Sequence, residues 1–211
     1  MARLIETDLK TEPTGKAVTV FLGDYVDRGP DSRSVIDRLS KRDFPTPFVA
    51  LRGNHESMFL AYLQHPGRPP IWGYNGALET LRSYGLDIRP LMQGRRLAGL
   101  ADNFKAVLPS EHLEFVKSTH LTFSVGDYWF CHAGIRPGTA LEEQREHDLL
   151  WIREEFLGSK IDFGKLVVHG HTPVAEPEIH PNRINVDTGA YISGRLTALV
   201  LEADRKRFLS T

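Results

Sequence analysis

The stretch VFLGDYVDRGPDS, residues 20–32, joins an apolar run to a loop that carries Asp24, Asp27, Arg28 and Asp31. The apolar run predicts a buried strand, because short runs of β-branched and aromatic residues favour strands. The charged residues exceed what a turn requires, and Asp31 alone suffices for the turn and the cap of a following helix. The loop is therefore a candidate functional site at the end of a strand.

Other parts of the chain repeat this pattern and predict an α/β fold. Helical spacing of apolar residues at 31–43 places a helix between two predicted strands, which is typical of a βαβ unit. The segment at about 57–118 is predicted to be mainly helical and is interpreted as an insertion in a single domain spanning 1–211. The predicted strands cover residues 17–22, 48–51, 128–131, 166–168, 184–186 and 196–202.

Four of these strands are each followed by a glycine-containing loop with polar side chains. The loops are GDYVDRG (23–29), RGNHE (52–56), HAG (132–134) and HGH (169–171). Ligands collect at the carboxyl ends of strands in α/β proteins, so we expect polar side chains of these loops to meet at one sheet edge.

The residue types in these loops indicate a metal site. Asp24, Asn54, His132 and His171 offer two oxygens and two imidazoles, a set that suits Mn²⁺, Fe²⁺ or Zn²⁺. His169 lies two residues before His171 and is the alternative ligand, because alternation would place both on one face.

Composition limits the class of protein. The 211 residues are 41% hydrophobic and 25% charged with a formal net charge of −1, which gives no electrostatic footprint for nucleic acid or an anionic membrane. No apolar stretch approaches the ~20 residues of a membrane span. The single cysteine, Cys131, excludes an intramolecular disulfide framework, and the N-terminus has no signal-peptide pattern. We expect a cytoplasmic protein. The sequence does not indicate an oligomeric state.

The combined motifs resemble the phosphoprotein phosphatase branch of the calcineurin-like metallophosphoesterases. That branch includes bacterial Ser/Thr protein phosphatases and symmetrical diadenosine tetraphosphatases. The resemblance implies two mixed β-sheets packed as a sandwich with flanking helices. It extends over most of the chain and rests on GDYVDRG (23–29), RGNHE (52–56), WGYNGALETLRSYG (72–85), HAG (132–134), LLWIREEF (149–156), GHTP (170–173) and INVDTGA (184–190).

The resemblance also implies metal-binding roles. Asp24 matches the carboxylate that bridges two metal ions, and Asn54, His132 and His171 match the other ligands of one ion. Mn²⁺ is the expected metal, with Fe or Zn as alternatives.

Four further residues match catalytic positions of the family. His55 matches the general acid, and Asp27 matches the partner that orients its imidazole. Arg28 and Arg153 match the guanidiniums that grip the phosphate, since a planar guanidinium can hold two phosphoryl oxygens at once.

One family motif has no counterpart in this sequence. An Asp-x-His motif ends the first strand of the family and supplies ligands of the second metal ion, whereas the first histidine here is His55. We therefore expect the first strand to be missing and one of the two ions to bind weakly. A start assigned too far downstream, or a shortened and impaired relative, would explain this.

These observations predict a metal-dependent phosphoesterase. The first expectation is a Ser/Thr protein phosphatase that acts on a phosphoprotein or a small phosphoester. The alternatives are a dinucleoside polyphosphate hydrolase and a non-catalytic phosphate-binding relative. The lack of clustered basic residues at 57–118 favours the first over a highly anionic polyphosphate.

Overall fold

The computed structural model describes residues 1–12, 15–66, 72–93 and 99–211. Among the described residues the strands are β1 Thr19–Phe21, β2 Phe48–Ala50, β3 Thr122–Val125, β4 Tyr128–Cys131, β5 Leu166–His169, β6 Glu178–Ile179, β7 Arg183–Asn185, β8 Thr197–Glu202 and β9 Arg205–Ser210. Each of the six predicted apolar runs contains a strand. The short edge strands β3 and β6 and the charged strand β9 were not predicted.

The α-helices in the same residues are α1 Ala2–Thr11, α2 Ser32–Ser40, α3 Asn54–Gln64, α4 Ala77–Ser83, α5 Arg89–Met92, α6 Leu100–Val107, α7 Ser110–Lys117, α8 Glu146–Trp151, α9 Glu154–Leu157 and α10 Ala190–Ser193. Two 3₁₀ turns cover Gly73–Asn75 and Leu141–Glu143. No helix in the described part of the chain is long and apolar enough to cross a membrane.

The chain divides into two compact units. The first, which we call the sheet unit, comprises Met1–Leu22, Phe44–Leu51 and His120–Thr211. The second, the helical unit, comprises Gly23–Asp43 and Arg52–Thr119.

The strands of the sheet unit form three sheets among the described residues. The largest has the order β3-β4-β5-β7-β6, in which β4, β5 and β7 run parallel and the two edge strands run antiparallel. β1 and β2 form a parallel pair, and β8 and β9 form an antiparallel hairpin. The parallel pair agrees with the predicted βαβ connection, because α2 lies between β1 and β2 along the chain.

Both faces of the five-stranded sheet are buried. Trp129 and Cys131 on β4 belong to a cluster with α8 and α9 residues, and Phe130 between them belongs to the opposite cluster. That second cluster includes side chains from the β1–β2 pair and from the β8–β9 hairpin. Alternation along β4 therefore gives each face its own core.

The result is an α/β fold with mixed sheets and flanking helices. Its strands are distributed over three sheets in the described residues, whereas the resemblance implied two. α1 has no buried residue and is tied to β9 by ion pairs from Arg207 to Asp8 and from Arg205 to Glu12.

In the helical unit, α2 packs against α4 and α7, and α3 packs against α6 and α7. Its core is aromatic: the ring of Trp72 lies 5.5 Å from Phe59 and 6.0 Å from Phe104, centroid to centroid.

Candidate active site

The loop after β1 has an unusual backbone. Asp24, Asp27 and Arg28 have φ values of 59°, 74° and 60°, in the left-handed region that costs a residue with a side chain roughly 1–2 kcal/mol. Such conformations persist only where surrounding contacts fix them, and they concentrate at functional sites. The loop is thus held in place by the rest of the helical unit.

Glu56 supplies much of that restraint. Its buried carboxylate accepts N–H bonds from Asp24 at 2.8 Å, Tyr25 at 2.7 Å, Val26 at 3.3 Å and Gly53 at 2.8 Å. Burial and then the charge of Asp24 raise the pKa of Glu56 to about 7 against the opposing effect of these N–H donors. Glu56 therefore caps the start of α3 and fastens the Asp24 loop to it.

Two glycines allow the loops of the helical unit to approach closely. A Cβ on Gly23 would lie 2.7 Å from the Cα of Gly53, and a Cβ on Gly53 would lie 2.5 Å from the backbone N of Asp24. It would also collide with the Asp24 carboxylate. No side chain larger than hydrogen fits at this crossing without displacing Asp24.

His55 and Asp27 form a buried pair in the helical unit. Nδ1 of His55 lies 2.7 Å from Oδ2 of Asp27, and their side chains are 3% and 0% exposed. The carboxylate accepts two further bonds, from Trp72 Nε1 at 2.7 Å and from the Thr80 hydroxyl at 2.6 Å. Because Oδ2 of Asp27 is the acceptor of these contacts, Nδ1 of His55 is the donor, and Nε2 is the ring nitrogen left to face a substrate.

The charges around His55 favour its protonated form. Burial lowers the pKa of His55, but the hydrogen bond to Asp27 and the negative charges of Asp24 and Asp27 outweigh it, so the pKa lies above its ordinary value of 6.5. Oδ2 of Asp24 is 4.0 Å from Nε2 of His55. An imidazole charged near neutral pH and held by a carboxylate is suited to donate a proton.

The sheet unit contributes two histidines at strand ends. His132 follows β4, and its Nδ1 lies 2.7 Å from the carbonyl oxygen of Leu22. His171 follows β5 with φ 67°, and its Nδ1 lies 3.1 Å from Nε2 of His132. A carbonyl oxygen can only accept, so Nδ1 of His132 donates this bond and Nε2 is the ring nitrogen that faces His171.

These donors fit a divalent cation. A histidine ligand typically donates its second ring N–H to a carbonyl or carboxylate, as His132 does to Leu22. In the helical unit, Asn54 is buried as the first residue of α3. The predicted ligands are thus shared between the units, Asp24 and Asn54 in one and His132 and His171 in the other, and their convergence on one ion stays a prediction.

His169, the alternative ligand, lies in the core of the sheet unit. Its ring packs edge to face on Phe156 at 4.9 Å, and burial lowers its pKa to about 3. The choice of His171 rather than His169 as the ligand stays a prediction.

The two arginines are exposed. Arg28 donates its backbone N–H to the carbonyl of Gly76 at 3.2 Å within the helical unit. Arg153 precedes α9 in the sheet unit, two residues after Trp151, whose ring lies 6.0 Å from that of His171.

Sequence reasoning gave no role at this site to Trp72 or Thr80. Both lie in the resembling stretch 72–85, but a tryptophan and a threonine in such a stretch are typical of packing and carry no chemical signature of their own. Their contacts to Asp27 were visible only in the structure.

Fold and site together define a class: an α/β protein with mixed sheets whose strand-end loops carry metal-type ligands and a buried His–Asp pair. A comparison with known families matches residues 3–198 to the family described as calcineurin-like phosphoesterase. The chain belongs to this family of metallophosphoesterase hydrolases.

Individual relatives agree with this family. The chain is 26% identical to Bis(5'-nucleosyl)-tetraphosphatase PrpE [asymmetrical] of Anoxybacillus flavithermus, over 92% of this chain and 79% of that protein. It is 28% identical to Serine/threonine-protein phosphatase 1 of Salmonella typhimurium, over 84% and 76%. A crystal structure of a protein provisionally assigned as a diadenosine tetraphosphatase has a TM-score of 0.64 at 18% identity, over 98% of this chain and 86% of that one, and supports the fold.

Proposed function

We propose that this protein is a metal-dependent hydrolase that cleaves bis(5'-nucleosyl) tetraphosphates asymmetrically. The observation that carries the proposal is the similarity over 92% of the chain to a relative of that named activity. This reverses the order expected from the sequence, where a Ser/Thr protein phosphatase came first and the diadenosine relatives were of the symmetrical type. The similarity to this relative outweighs the lack of clustered basic residues at 57–118, which had favoured the phosphatase.

Asp24, Asn54, His132 and His171 would hold the divalent metal, for which Mn²⁺ is our proposal. The proposal is supported by the donor types, because carboxylate, amide and imidazole groups together suit a borderline divalent cation. When bound, the metal would polarise the phosphoryl group and activate water.

His55 would act as the general acid. Its Nε2 would give a proton to the departing phosphate oxygen, and Asp27 would hold the ring in the orientation that aims Nε2 at that oxygen. Arg28 and Arg153 would bind the phosphoryl oxygens and stabilise the charge that develops on them.

A second candidate is hydrolysis of phosphoserine or phosphothreonine in proteins. It is supported by the similarity to Serine/threonine-protein phosphatase 1 over 84% of the chain. The acid, the arginines and the metal ligands would serve both reactions, since each breaks a phosphorus–oxygen bond.

The test is to incubate the protein and its His55→Ala variant with Mn²⁺ and diadenosine tetraphosphate and to separate the nucleotide products. ATP and AMP in equal amounts are expected, with much slower formation by the variant. Two ADP molecules would contradict asymmetric cleavage. Phosphate release from a phosphothreonine peptide without nucleotide cleavage would favour the second candidate, and no hydrolysis of either would favour a non-catalytic phosphate-binding protein.

A further inference from the structure

Besides His55, Asp27 is hydrogen-bonded by side chains that lie outside the loops 23–29 and 52–56. The Trp72 indole N–H donates to Oδ2 at 2.7 Å, the same oxygen that accepts from His55. The Thr80 hydroxyl donates to Oδ1 at 2.6 Å and accepts the backbone N–H of Asp27 at 2.8 Å. Ser32 Oγ also accepts that N–H, at 3.1 Å.

The donors are rigid. Trp72 is 3% exposed, and its ring is fixed between the rings of Phe59 and Phe104. Thr80 is fully buried on α4. Neither side chain can turn away without breaking these contacts, so both oxygens of Asp27 have defined positions.

We propose that Trp72 and Thr80 are positioning residues that fix the orientation of the Asp27 carboxylate and thereby aim the His55 imidazole at the leaving group. An indole N–H can only donate, so Oδ2 accepts it, and this bond fixes the plane of the carboxylate. The same oxygen bonds Nδ1 of His55, so the plane of the carboxylate sets the direction in which Nε2 points. The proposal rests on the general-acid role of His55 in the proposed function.

Loss of either donor has a specific consequence. Without the Trp72 N–H or the Thr80 hydroxyl, the carboxylate can rotate about its Cβ–Cγ bond and His55 loses its fixed orientation. Misplacement of a catalytic group by about 1 Å costs on the order of 100-fold in rate, so we expect a 10- to 100-fold loss where protonation of the leaving group matters.

The kinetic test compares phenyl phosphate with p-nitrophenyl phosphate in Trp72→Phe and Thr80→Val. The p-nitrophenolate group departs with little help from an acid, whereas phenolate needs a proton. We expect kcat for phenyl phosphate to fall 10- to 100-fold, kcat for p-nitrophenyl phosphate to fall much less, and KM to change little. Thr80→Ser retains the hydroxyl and should restore the rate.

A matched control separates positioning from packing. Tyr84→Phe keeps a buried ring of the helical unit and removes its hydrogen bond to His112 at 2.9 Å, while both donors to Asp27 and the rings around Trp72 are retained. It should lower the free energy of unfolding and leave the ratio of the two rates unchanged. If it shows the same leaving-group dependence as Trp72→Phe, the effect is a general loss of stability and the proposal is wrong.

Nuclear magnetic resonance gives a readout that needs no activity. The Nδ1 proton of His55, bonded to a carboxylate, should resonate far downfield in the folded protein. It should shift or broaden in Trp72→Phe and Thr80→Val and stay in place in Tyr84→Phe and Thr80→Ser. An unchanged resonance in the first two variants would overturn the proposal even if the protein hydrolyses no phosphoester, whereas a changed resonance in a protein without hydrolysis would contradict only the proposed function.

Discussion

The His55–Asp27 pair of the helical unit and the His132–His171 pair of the sheet unit are built on different principles. Asp27 accepts three bonds, from an imidazole, an indole and a hydroxyl, so the protein itself completes this contact. His132 and His171 instead place two ring nitrogens 3.1 Å apart, a geometry that one bound cation would suit. This difference supports the proposed role of the first pair in proton transfer and of the second pair in binding an ion.

We expect the largest effect from a variant that breaks the His55–Asp27 pair. His55→Ala should reduce turnover by about 10²–10⁴-fold, as is usual for a lost general acid, and should leave Mn²⁺ content unchanged because no metal ligand is altered. The corresponding variant of the second pair, His171→Ala, should weaken Mn²⁺ binding by at least 10- to 100-fold, the loss that is typical when a ligand loses only its supporting contact. It should also leave the His55 Nδ1 resonance in place.

Metal analysis after dialysis, isothermal titration with Mn²⁺ and steady-state kinetics check these two variants. If His55→Ala loses metal, or if His171→Ala retains full affinity, the two pairs do not have the separate roles assigned to them.

A smaller effect is expected where the helical unit brings its two loops together. Gly53→Ala places a methyl group against the backbone and carboxylate of Asp24. We expect a loss of about 2–4 kcal/mol in the free energy of unfolding, because overpacking against backbone cannot relax by rotation of a side chain. Gly15→Ala is the control, since a Cβ there meets nothing within 4 Å. Urea unfolding of both variants gives the comparison, and equal values would show that the loops can separate without cost.

Much of this architecture was readable from the sequence. The strands β1, β2, β4, β5, β7 and β8 were predicted because each overlaps a short run of apolar or β-branched residues. β9 was missed because it begins with Arg205, Lys206 and Arg207, and its pairing with β8 decides its conformation. Long-range pairing of that kind leaves little local signal.

The site was only partly predictable, and for a physical reason. Asp24, Asp27 and His55 lie in loops that carry more charged and polar side chains than a turn requires. This excess predicted that the loops form a functional site. Trp72 and Thr80 lie 45 and 53 residues from Asp27 along the chain. Only the folded helical unit brings those donors to the carboxylate, so their residue types alone could not reveal them.

The smallest expected effect concerns the support of the sheet unit's histidine loop. Four residues after His132, Arg136 forms a two-bond ion pair with Asp148, at 2.9 and 2.8 Å. The bond from Arg136 lowers the pKa of Asp148 below its ordinary value of 3.8, although burial acts in the opposite direction. Asp148→Asn should therefore lower the free energy of unfolding by about 1–2 kcal/mol at neutral pH, within the range for a charged hydrogen bond with one partly exposed partner.

The dependence of this effect on pH has a defined sign. Because the pKa of Asp148 is depressed in the folded state, its stabilisation is complete above the unfolded value near 3.8 and is lost as pH falls through the lower folded value. The difference between the protein and Asp148→Asn should stay constant from about pH 7 to pH 5 and shrink at lower pH, in urea unfolding followed at each pH. Glu155→Gln is the matched control, because Glu155 contacts the same Arg136 but its side chain is 62% exposed. It should cost less than about 0.5 kcal/mol. A pH-independent difference for Asp148→Asn would show that its carboxylate is not stabilised by Arg136.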